Sequence, residues 1–241
     1  MKLLRQLLPQ ALCAAWQRQT ADVTASLPLT ALALDADEVL QVISASAAAA
    51  PLVAALGPAP WCNLAQSWLR HGRPPHSWHQ DGALRHEFLA HAGQPAPADA
   101  ALEMHTLWIA LTPCGEDAPS LQWVDAEPAA LLSPDELTPA AVAARYGEAA
   151  MQHAVLQPGD ALLLDGLCLH RTHLTPAMKQ LRCSLELRFF KADALPARVA
   201  GDAGTRLPAS SNAGDQGFGT SNFPNGASCA ATAGSPTTTM L

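Results

Sequence analysis

Pro75-His76-Ser77-Trp78-His79-Gln80-Asp81-Gly82 places an imidazole and a carboxylate two positions apart in a run of extended character. Side chains alternate sides along a strand, so His79 and Asp81 point the same way, a few ångströms apart. Such a pair is two thirds of a metal site made of two histidines and one carboxylate. Alone, a His-x-Asp spacing fits a surface loop equally well, so its meaning depends on what the rest of the chain supplies.

Two further stretches bear on it. Pro158-Gly159-Asp160 is turn chemistry and leads into the apolar run 161–169, read as a strand that ends on His170. His170 offers the missing imidazole, with His173 a second candidate; a satisfied core histidine would have the same surroundings. The stretch 181–190 alternates cleanly, with Leu181, Cys183, Leu185, Leu187 and Phe189 on one face and Arg182, Ser184, Glu186 and Arg188 on the other. The polar face fits a solvated edge strand. It fits equally the inside of a barrel, where an arginine grips a carboxylate through two parallel hydrogen bonds. A two-histidine, one-carboxylate set binds Fe(II) and leaves positions open for a co-substrate and O2.

The surrounding sequence reads as short strands at 63–69, 76–81, 104–111, 120–124, 161–169 and 181–190, separated by Gly, Pro and Asp. Residues 1–60 read as a helical N-terminal layer. Asp35 is placed to cap a helix, Pro51 to break or restart one, and the first residues form an amphipathic helix rather than an export signal. Ser133-Pro134-Asp135-Glu136 has capping-box spacing, and Thr138-Pro139 opens a short helix ended by Gly147. The expected fold is mainly β with flanking helices, a barrel or sandwich whose core spans 61–196. Residues 201–241 are Gly, Ala, Ser, Thr, Asn and Pro with three charges, Asp202, Arg206 and Asp215, and are expected to form a disordered tail.

Bulk properties exclude some partners. A net charge of −7 with scattered basic residues gives no footprint for nucleic acid or an anionic membrane. No run approaches the length of a membrane span. Six cysteines without CxxC spacing suit reduced, buried thiols in the cytoplasm rather than a zinc site.

Trp78-His79-Gln80-Asp81-Gly82, the Gly159-Asp160 strand leading to His170, and Arg182 twelve residues later followed by Ser184 together resemble the phytanoyl-CoA dioxygenase-like branch of the Fe(II)/2-oxoglutarate-dependent oxygenases. The resemblance runs from about residue 61 to 190 and includes Leu107-Trp108-Ile109-Ala110 and Ser120-Leu121-Gln122-Trp123 as a central strand pair. It implies a double-stranded β-helix, the jelly-roll or cupin-like barrel, with the metal at its open end.

The resemblance also assigns roles. His79, Asp81 and His170 would hold Fe(II). Arg182 would pair with the distal carboxylate of 2-oxoglutarate, assisted by the Thr172 hydroxyl. Trp108 would wall the co-substrate pocket, and Gln66 or Asn63 would reach it from the preceding strand. The implied reaction consumes 2-oxoglutarate and O2, releases succinate and CO2, and hydroxylates a small organic substrate; a carboxylate at Asp81 favours hydroxylation over halogenation. The chain departs from the family at Gly115-Glu116-Asp117-Ala118-Pro119 and at Val124-Asp125-Ala126-Glu127-Pro128, which lacks the usual substrate-bordering turn. Two other classes stay open: a non-catalytic metal- or ligand-binding barrel, and a cupin enzyme independent of 2-oxoglutarate.

Overall fold

In the computed structural model, which describes residues 1–85 and 101–209, the alternating stretch that ends in Phe189-Phe190 is the central strand of a large antiparallel sheet. The first part of the chain forms β1 (Lys2–Leu4), α1 (Gln10–Gln19), β2 (Leu27–Pro28), α2 (Ala36–Ser44), α3 (Ala49–Leu56), β3 (Trp61–Asn63) and β4 (Trp68–Gly72). There follow β5 (Met104–Ala110), β6 (Ser120–Val124), α4 (Pro139–Tyr146), β7 (Met151–His153), β8 (Ala161–Asp165), β9 (His170–His173), β10 (Arg182–Phe190), α5 (Ala197–Ala200) and β11 (Gly204–Arg206). The larger sheet runs β1-β8-β5-β10-β3-β11, with β4 also on β10 and β2 on β4. The smaller runs β7-β6-β9. This is the expected mainly β, double-stranded β-helix architecture.

Period-two alternation decides what each face of the larger sheet meets. Leu107 and Ile109 of β5, Leu163 of β8 and Leu185, Leu187 and Phe189 of β10 share one core with Trp16, Leu40, Ile43 and Leu52 of the N-terminal helices. Trp108, Ala110, Leu162 and Leu164 point the other way, toward Leu121 of the smaller sheet. The helices therefore seal one face, and the space between the sheets is left for a site. Local signals hold where they were read: Asp35 accepts from the backbone of Asp37 and Glu38 at the start of α2, and Thr138 caps α4 with Pro139 behind it. Glu136 closes the capping box by accepting from the Ser133 backbone at 2.9 Å.

Several boundaries differ from expectation. The layer 1–60 is not only helical, because β1 pairs with β8 and β2 with β4. The expected strand 63–69 is broken by a turn: the Ser67 hydroxyl donates to the Asn63 carbonyl at 2.7 Å and the Gln66 N–H to the Asn63 side chain at 3.0 Å. Residues 76–81 form no ladder, only a single bridge between His79 and His170. The strand from Ala161 stops at Asp165, so His170 opens a new strand instead of ending the old one. Gly204–Arg206, inside the expected tail, pairs with β3 and buries Leu207 beside it. Residues 210–241 of that tail lie outside the described residues. No single described helix is long and apolar enough to cross a membrane.

Asp160, buried at the start of β8, ties the N-terminal arm to the barrel. Its carboxylate accepts from Arg5 Nη1 at 2.7 Å, from the Gln6 N–H at 2.8 Å and from the Gln157 N–H at 3.0 Å. Burial pushes this carboxyl up, but the two backbone donors and the Arg5 guanidinium outweigh it and hold it below the usual range. Next to it Gly159, at φ +92°, brings its backbone against Leu8, where a Cβ would lie 2.1 Å from the Leu8 carbonyl oxygen. A folded-state carboxyl depressed below its unfolded value stabilises above the unfolded value, and that contribution is lost as pH falls. Asp160→Asn is therefore expected to lower stability at neutral pH by about 1–3 kcal/mol in urea denaturation, with the gap to wild type closing as pH falls below the ordinary carboxyl range.

Candidate metal centre

His79 and His170 are joined through their backbones before their side chains meet. The His79 N–H donates to the His170 carbonyl at 2.9 Å, and the His170 N–H returns to the His79 carbonyl at 3.1 Å. This narrow pair sets the two rings 4.2 Å apart between centroids. Gln80 is extended at φ −126°, ψ 125°, so the alternation expected of a strand survives without a ladder. Its side chain turns away from the site, donates to the carbonyls of Ala130 and Leu167, and accepts from the Leu132 N–H. Asp81, on the opposite side, joins the histidines.

The donor atoms of His79, Asp81 and His170 all lie within 4.8 Å of one another. Asp81 Oδ1 is 3.7 Å from His79 Nε2, and Oδ2 is 3.9 Å from His170 Nε2. Each ring is fixed by its other nitrogen: His79 Nδ1 donates to the Ser77 carbonyl at 2.8 Å and His170 Nδ1 to the Cys168 carbonyl at 2.9 Å. A carbonyl only accepts, so Nδ1 carries a proton in each ring and Nε2 is the nitrogen turned toward the site. Burial, reinforced by the neighbouring His170, lowers His79 to about 4, which keeps it neutral at physiological pH. Burial pushes the Asp81 carboxyl up, yet Arg188, the two imidazoles and the Thr106 hydroxyl hold it well below the usual range. Two imidazoles and one carboxylate fit a divalent ion of the Fe(II) type.

A narrow cleft opens beside this set, lined also by Thr106, Trp108, Leu121, Thr172, Arg182 and Glu186. Arg182 is 2 % exposed, and its Nε and Nη1 have no partner among the described residues. A buried guanidinium with free donors is costly unless an anion meets it, so the cavity fits a carboxylate there. Thr172 Oγ1 accepts from the His76 N–H at 3.0 Å, which leaves its own proton to donate. Trp108 is buried on the inner face of β5 and lines the same wall.

One expectation needs correction. Gln66 does not line the cavity; it sits in the turn after β3, and Asn63 donates to Asp202 Oδ2 at 2.8 Å instead of reaching the site. The cause is the break at 64–67, which carries both residues off the inward face. His173, the second candidate for the histidine position, lies apart from this set: alternation along β9 puts His170 and Thr172 inside, while His173 stacks on His153 at 4.4 Å between centroids.

The sequence reading missed Thr106, whose hydroxyl donates to Asp81 Oδ2 at 2.6 Å. It also missed the roles of Arg188, which donates to Asp81 Oδ1 at 3.1 Å, and of Arg70, which grips Glu186 at 2.8 Å. The period-two pattern with Trp108 could have found Thr106, since both lie on the inner face of β5. A second cleft of about 740 Å³ adjoins His79 and Asp81, with Ala83, Leu84, Leu132 and Leu137 as apolar lining and Arg85 and Arg188 as charged lining.

No protein-family model and no curated protein matches this sequence. Solved structures do share its fold. It aligns with the non-heme alpha ketoglutarate dependent carbocyclase SnoK from nogalamycin biosynthesis over 79 % of each chain, at TM-score 0.55 and 13 % identity. The protein EctD from S. alaskensis, solved with 2-oxoglutarate and 5-hydroxyectoine, aligns over 80 % of this chain and 72 % of its own, at TM-score 0.57 and 18 % identity. The epimerase SnoN, solved with Fe3+, alpha ketoglutarate and nogalamycin RO, aligns over 86 % and 89 %, at TM-score 0.53 and 16 % identity. At these identities the likeness is one of fold.

The ligand assignment is testable by metal titration. His170→Ala should abolish tight Co(II) binding in calorimetry, whereas His173→Ala should leave it within about twofold of wild type, because a half-buried ring stacked on His153 contributes little to a site it does not touch.

Proposed function

We propose that this chain is an Fe(II)- and 2-oxoglutarate-dependent oxygenase that oxidises a small organic molecule, of the phytanoyl-CoA dioxygenase-like kind. The observation that carries the reading is the unpartnered, buried Arg182 guanidinium in the same cavity as the His79, Asp81 and His170 donors. A site needing only a metal has no use for it. The solved structures of like fold that hold iron or 2-oxoglutarate support the same reading.

In this proposal His79, Asp81 and His170 hold the iron. Arg182 pairs with the distal carboxylate of 2-oxoglutarate, and the Thr172 hydroxyl donates a second hydrogen bond to it. Trp108 and Leu121 wall the co-substrate off from water. Bound Fe(II) and 2-oxoglutarate supply the oxidising power, since O2 reduction is coupled to decarboxylation of 2-oxoglutarate to succinate and CO2. The chain's share is positioning and exclusion. The substrate enters beside His79 and Asp81, where the second cleft offers apolar contacts from Leu84, Leu132 and Leu137. Hydroxylation is the proposed outcome; the carbocyclase and the epimerase share the fold, so the product is set by how the substrate lies. We place the enzyme in the cytoplasm, in keeping with five buried, unpaired cysteines among the described residues.

The test is succinate formation from 2-oxoglutarate by Fe(II)-loaded protein, with and without candidate substrates. Asp81→Ala should abolish it. Arg182→Met should raise the KM for 2-oxoglutarate at least about 30-fold, the equivalent of about 2 kcal/mol for a lost buried charge pair. Metal binding unaffected by 2-oxoglutarate would instead favour a cupin or a non-catalytic barrel.

A further inference from the structure

Behind the metal ligands lies a chain of buried charges that the proposed chemistry does not use directly. Arg188 Nη2 bridges two carboxylates, donating to Asp81 Oδ1 at 3.1 Å and forming an ion pair with Glu186 Oε1 at 2.7 Å. Glu186 is gripped a second time by Arg70, whose Nε reaches Oε2 at 2.8 Å and Nη2 reaches Oε1 at 3.2 Å. Asp81, Glu186 and Arg188 are each 7 % exposed or less. Each Asp81 oxygen thus carries one donor, Arg188 on Oδ1 and Thr106 on Oδ2. The plane of the carboxylate is fixed from both sides.

We propose that Arg188 is a positioning residue for the metal ligand Asp81, and that Glu186, held by Arg70, keeps Arg188 in place. The inference rests on the reading of His79, Asp81 and His170 as the metal site. A carboxylate held by one donor pivots about that bond, whereas donors on both oxygens leave it a single orientation toward the histidines. Register makes this possible. Arg188 lies directly opposite Thr106 across the β10–β5 pair, so both reach Asp81 from adjacent strands.

Coulomb's law alone predicts the opposite consequence for metal affinity. Deleting a buried cation beside the site removes repulsion and should tighten binding of a divalent ion. Positioning predicts weaker binding, because the freed carboxylate no longer faces the two imidazoles. The two effects separate in a titration of the protein with Co(II), which needs no turnover.

Arg188→Met should weaken Co(II) binding about 10–100-fold, the range for loss of a partner behind a ligand, and alter the visible Co(II) spectrum. Arg188→Lys, which returns one charged donor, should recover part of both. Glu186→Gln, which leaves Asp81 and the histidines intact, should give a smaller loss in the same direction. Melting curves of the metal-free proteins identify any variant that fails to fold, and the Lys and Gln variants then carry the test. Equal or tighter Co(II) binding by folded Arg188→Met, or no recovery with lysine, overturns the proposal. If the wild-type protein fails to bind Co(II), the metal-site reading fails instead.

Discussion

Two reciprocal backbone hydrogen bonds between His79 and His170 hold the site together. They join a stretch that forms no ladder to the first residue of β9, and they do it with main-chain atoms whose pairing does not depend on side-chain rotamers. Asp81 follows by alternation, and the Nδ1 bonds to the Ser77 and Cys168 carbonyls aim both imidazoles. Glycine permits the approach just beyond. The Gly82 N–H donates to the Gly166 carbonyl at 2.7 Å, and a Cβ on Gly82 would lie 2.7 Å from that same oxygen.

The charges around the site follow from the cost of burying ions. Asp81 and Glu186 sit inside the barrel because Arg188 and Arg70 meet them there, and burial of a paired, hydrogen-bonded charge is tolerable where burial of a lone one is not. Burial pushes Glu186 up, but the two guanidinium groups hold it ionised, below the usual carboxyl range. Arg182 breaks the pattern, for its Nε and Nη1 are buried without a partner. Among the described residues no carboxylate pairs with it, so its guanidinium calls for an anionic ligand.

Much of the barrel was legible because its signals are local. The alternation of 181–190 matched β10 from Arg182 to Phe190, and 120–124 matched β6 at both ends. Thr138-Pro139 and Gly147 bounded α4 as read. What failed was non-local. Lys2–Leu4 and Gly204–Arg206 are too short to read as strands, and they become strands because open sheet edges at β8 and β3 await them. Asn63 and Gln66 looked like continuing strand until side-chain hydrogen bonds turned the chain between them.

By itself, the sequence determined the chemistry on offer: an imidazole and a carboxylate two residues apart, an imidazole beyond an apolar strand, and an arginine on the polar face of an alternating one. These are properties of neighbours along the chain, and period-two geometry is enough to read them. The tertiary structure decided which groups meet. It chose His170 over His173 by the face of β9 that turns inward, removed Gln66 from the cavity, and brought Thr106 and Arg188 onto Asp81 through the register of β5 against β10. Register is fixed by burying the opposite faces of those strands against the N-terminal helices, a constraint spread over the whole chain and invisible in any one stretch of it.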